Sequence, residues 1–323
     1  MKSMPGCTLA DILAARPNVN RHLRPTPLYR YPGLCKLVGA EVYVKHENHQ
    51  PVGAFKVRGG VHLAALLADA PQRISLYTAS TGNHGQSIAY AGKVTGLKVR
   101  VALPQGANPS KVSAIQALGA ETVLHGKDFD EAREWFTEQA KADGARFIGP
   151  TDPELIAGVG TYTLEILEAL PSVDVIVVPV GAGSGAASAA LVAKTMNPAI
   201  KVIAVQAENA PALQRSWKAG HPVEATMKTD AEGMATRVAF ENTLRMICDP
   251  RTGVDDFVLV SEDAMRNAVR FFLEHTHNLA ELSGAAPLAA VLNMKDDLIG
   301  KKIVLVLSGG NLSLPKLQRI LAR

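Results

Sequence analysis

Residues 74–96 read ISLYTASTGNHGQSIAYAGKVTG and combine a strand, a glycine turn and a helix in one short stretch. Ile74–Thr78 is predicted as the strand, Ser80–Gly85 as the turn and Gln86–Val94 as the helix, which Gly96 ends. The same order recurs from Val99 to Ile148. This alternation indicates a parallel, doubly wound sheet with right-handed crossovers.

Further strands and helices on both sides of this region predict a second sheet. The predicted strands are Glu41–Lys45, Val173–Val178, Val202–Ala207 and Lys302–Leu307. Predicted helices lie at residues 8–15, with Thr8 as the cap, and at 60–68, 153–170, 261–275 and 285–292. Residues 208–257 show a less regular pattern. The fold class is therefore α/β, with two doubly wound open-sheet lobes.

Composition argues against several classes of protein. Hydrophobic residues make up 47% of the 323 residues, which is enough for a large core. The net charge of +4 comes from scattered lysines and arginines, and aromatics are only 5%, so we expect no nucleic-acid partner. Residues 175–193 are uncharged and about long enough to span a bilayer, but Pro179 and three glycines divide them, so we expect no membrane span.

The three cysteines and the N-terminus indicate a cytoplasmic location. Cys7, Cys35 and Cys248 have no paired spacing, which fits a reducing compartment better than a disulfide framework. Residues 1–17 lack a long apolar core with a small-residue cleavage site, so we expect no signal peptide.

A candidate catalytic lysine, Lys56, stands in ENHQPVGAFKVRGG, residues 47–60. Its neighbours are apolar or glycine, apart from Arg58 two residues on. An ammonium group in such surroundings loses hydration, its pKa falls, and the amine becomes able to attack a carbonyl group. The alternative is an ordinary surface lysine.

Gly181-Ala182-Gly183-Ser184-Gly185 is a candidate phosphate loop, because it follows an apolar strand and opens a helix. Small residues let the backbone close on an anion, and the helix N-terminus offers free N–H groups. A plain tight turn is one alternative. A dinucleotide site with Glu208 on the ribose is another, which would suit a nicotinamide-dependent oxidoreductase.

Two other turns follow strands, where ligands bind in open α/β sheets. Ser80–Gly85 offers amides for a carboxylate, or forms only a capped turn. Ser308-Gly309-Gly310-Asn311 offers a hydroxyl for a ring nitrogen, or forms only a turn. The pairs His46/His49 and His275/His277 have near-metal spacing but no further ligand, so we expect no metal.

The lysine segment, the turn Ser80–Gly85, the glycine loop and the Ser308 turn follow one another along the chain in this order. Together they resemble the fold-type II pyridoxal-phosphate enzymes, most closely the threonine/serine dehydratase (threonine ammonia-lyase) and serine racemase branch. The resemblance runs from about Arg24 to Asn311 and includes Ala280–Ala285 (AELSGA). It implies a fold like the tryptophan synthase β chain, pyridoxal 5'-phosphate as cofactor, a homodimer, and an amino acid as substrate. It also implies a large cofactor-binding domain (residues 1–70 and 150–323) and a small substrate-gating domain (71–149).

The resemblance also implies roles for single residues. Lys56 would hold the cofactor covalently and later move the Cα proton, and Phe55 would pack on the pyridine ring. Asn83 would meet the phenolic oxygen, Ser308 with Gly309 the ring nitrogen, and Gly181–Gly185 the phosphate. Glu281 would lie near the cofactor. The substrate carboxylate would be bound by Ser80, Thr81, Gly82, Asn83 and His84.

The expected reaction is removal of water from a β-hydroxy amino acid such as L-threonine or L-serine, giving a 2-oxo acid and ammonia. Thr81 stands where racemases of this branch carry a serine hydroxyl opposite the lysine, which makes it a second catalytic candidate and keeps racemisation as an alternative. Gln206 and Ala212 replace the acids that bind a divalent cation in some relatives. Ala54, Val159 and Leu282 also depart from the usual pattern.

These departures leave open an unusual hydroxy amino acid as substrate, such as hydroxyaspartate, phenylserine or one from hydroxyectoine-type catabolism. A non-catalytic amino-acid-binding protein is a further alternative.

Overall fold

The computed structural model describes residues 6–322 and divides into two compact units. Unit 1 comprises the described residues of 1–9, 25–55 and 162–323, and unit 2 comprises 10–24 and 56–161. The chain therefore passes from unit 1 to unit 2 between Phe55 and Lys56. Residues 1–5 of the stretch searched for a signal peptide lie outside the described part.

Unit 1 is built on a six-stranded sheet in the order β1-β2-β10-β7-β8-β9, with only β1 antiparallel. The strands are β1 (Leu28–Arg30), β2 (Glu41–His46), β7 (Val175–Pro179), β8 (Lys201–Ala207), β9 (Asp256–Val260) and β10 (Lys302–Leu307). The helices are α2 (Pro32–Val38), α8 (Ser184–Met196), α9 (Ala212–Ala219), α10 (Glu241–Ile247), α11 (Glu262–Thr276), α12 (Leu282–Asn293) and α13 (Leu314–Leu321).

Unit 2 is built on a four-stranded parallel sheet in the order β5-β4-β3-β6. The strands are β3 (Leu76–Ala79), β4 (Val99–Leu103), β5 (Glu121–Leu124) and β6 (Arg146–Phe147). The helices are α1 (Leu9–His22), α3 (Val57–Ala68), α4 (Asn83–Thr95), α5 (Pro109–Ala117), α6 (Phe129–Ala142) and α7 (Pro153–Ala169), which continues into unit 1.

The predicted fold class is confirmed, since both sheets alternate strands with helices. Residues 175–193 form β7 and the start of α8, as predicted. Among residues 6–322, no helix has the length and apolar content needed to cross a bilayer. The predicted domain boundaries stay a prediction; the units place residues 10–24, 56–70 and 150–161 with the smaller sheet.

The structure differs from the predicted elements in several places. The first helix does not end at residue 15 but continues through Pro17 to His22, because Ile12, Ala15 and Val19 bury one face of it. The region 208–257, predicted only to be less regular, contains α9 and α10. The C-terminal α13 was not predicted at all, although Pro315 stands in its first turn, where proline is favoured.

A buried polar network stabilises unit 1 between β2 and α7. The Lys45 amine donates to Glu165 Oε2 at 2.5 Å and to the Thr26 carbonyl at 2.8 Å, and Thr26 Oγ1 donates to Glu47 Oε1. The Lys45 and Glu165 side chains are only 1% and 9% exposed. Removing one member of such a pair leaves a charge in a site that water cannot solvate.

Replacing Lys45 by methionine is therefore expected to lower the free energy of unfolding by about 3–5 kcal/mol. Urea unfolding followed by circular dichroism measures this change. The double variant Lys45→Met with Glu165→Leu should recover much of the loss, because it removes both charges. A single variant as stable as the wild type would contradict the assignment.

Candidate active site

Lys56 is the N-cap residue of α3 in unit 2, and its side chain makes no capping hydrogen bond to the helix. Ser87 Oγ on α4 donates to the Lys56 carbonyl at 2.7 Å. Gly60 permits this contact, because a side chain there would collide with Ser87 Oγ. Burial of the Lys56 amine lowers its pKa from 10.5 to about 8. About one tenth of this amine is therefore neutral at pH 7, far more than for a lysine with the usual pKa.

The turn Ser80–His84 lies at the carboxyl end of β3, as predicted. Ser80 Oγ accepts from the Gly82 amide at 3.1 Å, and α4 begins at Asn83, earlier than predicted. Gly82 has no side chain to cap the helix, so the positive end of α4 is available to a carboxylate. Thr81 is half-buried in the same turn.

His84 is a buried, neutral imidazole in the first turn of α4. Its Nε2 lies 3.3 Å from the Ile148 carbonyl, while its Nδ1 is buried and has no partner within residues 6–322. Burial, together with the nearby charge of Lys56, lowers the pKa of His84 to about 4. Nε2 is thus the protonated nitrogen, and Nδ1 carries the lone pair.

The loop Gly181–Gly185 in unit 1 joins β7 to α8 and is fixed from several sides. Thr243 Oγ1 donates to the Ala182 carbonyl at 2.7 Å, and the Tyr162 hydroxyl donates to the Gly185 carbonyl at 2.9 Å. Gly183 has φ +97°, a conformation that glycine adopts without strain. A side chain on Gly181 would collide with the Gly233 carbonyl. The loop thus presents a small-residue backbone at the N-terminus of a 13-residue helix.

Residues 53–55 pair with residues 308–310 at the carboxyl end of β10. The Phe55 amide donates to the Ser308 carbonyl at 3.0 Å, the Gly310 amide donates to the Gly53 carbonyl at 2.9 Å, and Ala54 bridges Gly309. The Phe55 ring meets Tyr162 edge-on at 6.5 Å and lies against Gly185. This pairing fixes the aromatic ring immediately before Lys56.

Glu281 adjoins the same strand end. Its amide donates to the Gly309 carbonyl at 3.0 Å, and its Oε1 would lie 2.6 Å from a side chain on Gly309. A side chain at position 309 would therefore force this carboxylate to move. Ser308, whose carbonyl accepts from the Phe55 amide in this pairing, is 5% exposed.

The structure thus joins the predicted residues in two sets, one in each unit. Unit 1 joins Phe55, Gly181–Gly185, Glu281, Ser308 and Gly309 through the contacts above. Unit 2 joins Lys56 with the turn Ser80–His84 through α4. Sequence reasoning missed the residues that fix these groups, which are Ser87, Tyr162, Gly233 and Thr243. Ser87 lies two residues after the turn Ser80–Gly85, whereas Tyr162, Gly233 and Thr243 belong to no motif named above.

These residues fit pyridoxal 5'-phosphate. Its phosphate needs amides and a helix N-terminus, which residues 181–185 offer. Its ring needs an apolar face and a neutral partner for its nitrogen, which Phe55 and the Ser308 hydroxyl offer. Its aldehyde needs a neutral amine, and the lowered pKa of Lys56 supplies one.

The histidines with near-metal spacing make other contacts. His46 and His49 stack with ring centres 4.8 Å apart, His46 Nε2 lies 2.8 Å from the Tyr31 hydroxyl, and His49 Nε2 lies 2.6 Å from Asn278 Oδ1. Burial and the neighbouring His49 lower the pKa of His46 to about 4. His275 stacks on Phe271.

Comparison with known proteins identifies the family. L-threonine ammonia-lyase of Thermotoga maritima is 38% identical over 316 residues, which cover 97% of this chain and 78% of that protein. The processed form of threonine deaminase isoform 2 from Solanum lycopersicum superposes with a TM-score of 0.90 at 31% identity, covering 97% and 91% of the two chains. Serine racemase from Dictyostelium discoideum gives 0.87 at 33%, covering 95% and 99%. The profile of the pyridoxal-phosphate dependent enzymes matches residues 19–309, and the chain belongs to this family.

Proposed function

We propose that the protein is a lyase that deaminates a β-hydroxy amino acid of the threonine or serine type, with pyridoxal 5'-phosphate as cofactor. The observation that carries this proposal is the Lys56 amine, whose pKa of about 8 leaves it partly neutral, on the residue that follows Phe55 in the chain. The names of the T. maritima and S. lycopersicum relatives support the same reaction.

The cofactor, when bound, withdraws electrons from the substrate Cα and so weakens the bonds to its hydrogen and to the Cβ substituent. Lys56 Nζ is the group that takes the Cα proton, because a neutral amine with a pKa near the working pH accepts and returns a proton readily. The hydroxyl group leaves as water, which carries away the equivalent of the proton that Lys56 takes from Cα. Subsequent hydrolysis returns that water, so the hydroxy amino acid yields a 2-oxo acid and ammonia.

The turn Ser80–His84 binds the substrate carboxylate in this proposal. The N-terminus of α4 carries a partial positive charge and has no side chain from Gly82 to cap it. His84 stays neutral because of its lowered pKa, so it adds no positive charge that would repel the Lys56 ammonium group. Asn83 serves the phenolic oxygen of the cofactor.

Ser308 meets the ring nitrogen in this proposal, and its identity favours elimination. A neutral hydroxyl does not protonate a pyridine fully, so the cofactor draws electrons only moderately. Moderate withdrawal favours departure of the β-substituent together with the proton. Residues 181–185 hold the phosphate in this proposal, and their hydrogen bonds with Thr243 and Tyr162 support this role because they keep the loop in place.

Racemisation is the second candidate, and the likeness to D. discoideum serine racemase supports it. It needs a proton donor on the face opposite Lys56, and Thr81 is the hydroxyl that we assign to this task. Its extra methyl group and stiffer side chain make it a poorer donor than serine. Formation of the D-enantiomer and exchange of the α-proton in deuterated water distinguish racemisation from elimination.

We also propose a cytoplasmic homodimer. The cysteines support a reducing compartment, since within residues 6–322 none of them forms a disulfide. The dimer rests on the family resemblance alone. Sedimentation equilibrium measures the mass of the assembly, and a monomer at micromolar concentration would contradict the dimer.

Replacing Lys56 by alanine is expected to abolish the visible absorbance of covalently bound cofactor and to lower 2-oxo acid formation by about 10³-fold. Coupled assays with threonine, serine, hydroxyaspartate and phenylserine measure the activity and identify the substrate. Lys93→Ala, at an exposed lysine of α4, is the matched control and should behave as the wild type. Wild-type turnover by the Lys56 variant would refute the assignment, and a wild type inactive on the whole panel would refute elimination.

Covalent capture of the cofactor by the apoprotein should accelerate as pH rises. Only the neutral Lys56 amine attacks the aldehyde, so below its pKa of about 8 the rate should fall about tenfold per pH unit, and above it the rate should level off. Stopped-flow absorbance measures this rate. A profile that levels off only above pH 10 would show an ordinary, solvated lysine.

A further inference from the structure

Residues Thr229–Ala235, here called the Gly233 segment, form one wall of the loop assigned to the phosphate. The Gly233 carbonyl lies so close to Gly181 that any side chain on Gly181 would collide with it. On its other side, a side chain on Gly233 would lie 2.8 Å from Ser283 Oγ and 3.7 Å from Glu281 Oε1. A shift of the Gly233 backbone would therefore move both the loop and the Glu281 region.

The core holds this segment from the inside. Ala231 and Met234 are 1% and 0% exposed and belong to the main apolar cluster of unit 1. The Met234 amide donates to the Ala231 carbonyl at 2.8 Å, which closes a single tight turn around Gly233. Ala231 and Met234 thus hold the inner side of the segment in the core. The solvent-facing side is held by polar contacts.

Two helices supply those contacts, α11 and α13. Thr229 Oγ1 donates to Glu262 Oε1, and Arg266 pairs with Asp230 at 2.8 Å, both from α11. Arg270 of α11 in turn donates to the Ile320 carbonyl of α13 at 2.9 Å. The end of the segment that precedes Gly233 is thus tied to α11, and α11 is tied to α13.

Lys316 of α13 makes the contacts nearest to Gly233. Its amine donates to Glu232 Oε1 at 2.7 Å and to the Asp230 carbonyl at 3.1 Å. One acceptor is the backbone carbonyl just before the tight turn, and the other is a side chain within it. The Lys316 side chain is 23% exposed and that of Glu232 is 54% exposed, so water screens the pair in part.

We propose that Lys316 is a positioning residue, through which the C-terminal helix fixes the Gly233 carbonyl against Gly181 and so sets the shape of the phosphate loop. This inference rests on the proposed function, because it takes residues 181–185 as the site of the cofactor phosphate. Lys316 contacts neither the loop nor the reacting atoms. Its effect is transmitted by the backbone of residues 230–233.

The test compares Lys316→Met with the wild type in two measurements. The first is the dissociation constant of pyridoxal 5'-phosphate, titrated into the apoprotein. The second is amide hydrogen exchange over residues 229–235 in the apoprotein. Loss of one partly screened ion pair and its backbone contact should weaken cofactor binding about fivefold and speed exchange in this segment, with the effect concentrated in the dissociation constant rather than in kcat.

Two variants control the test. Lys316→Arg keeps the charge and should restore binding close to the wild-type value. Lys141→Met removes a lysine that pairs with Glu138 at 2.6 Å on the surface of α6, and it should change neither measurement. High salt should reduce the difference between Lys316→Met and the wild type, because it screens the pair in the wild type.

Wild-type binding and wild-type exchange in Lys316→Met would overturn the proposal. So would a fivefold loss of binding accompanied by a lower melting temperature and faster exchange throughout unit 1, since that pattern shows a general loss of stability. If the wild type bound no cofactor, the proposed function would fail instead. Exchange over residues 229–235 would still decide whether Lys316 fixes the segment.

Discussion

The pairing of residues 53–55 with residues 308–310 is the constraint on which the candidate site depends. Two backbone hydrogen bonds and the bridge between Ala54 and Gly309 fix the chain at the carboxyl end of β10. Because Phe55 is covalently joined to Lys56, this pairing sets where the lysine segment leaves unit 1. Gly309 in this pairing is closely surrounded by Glu281 and Gly284, so a side chain there would disturb these neighbours.

Each unit supplies a different chemical property. Unit 1 offers neutral hydroxyl and amide groups on a rigid backbone, suited to a phosphate and an uncharged ring nitrogen. Unit 2 offers a lysine whose burial lowers its pKa, and a helix N-terminus suited to a carboxylate. An amine with a pKa of about 8 can both form a bond to an aldehyde and carry a proton, so one residue serves two steps of the proposed reaction.

Local sequence signals predicted the elements that carry the site, and long-range packing decided what they missed. The turns after β3, β7 and β10 were predicted because glycine between a strand and a helix is a local signal. Helix α1 was predicted too short, since the burial of Val19 that carries it past Pro17 depends on tertiary packing. Gly233 had no signal, because its role comes from Gly181, which lies 52 positions earlier in the printed sequence. The family match favours the pyridoxal-phosphate assignment over the nicotinamide-dependent alternative based on Glu208.

Locating the amine that holds the cofactor tests the role of Lys56 most directly. Borohydride reduction of the cofactor-loaded protein makes the covalent link permanent, and mass spectrometry of its peptides then identifies the modified lysine. The peptide containing Lys56 is expected to carry the reduced cofactor in near-stoichiometric yield. An unmodified Lys56, with the cofactor on another lysine or on none, would contradict this role.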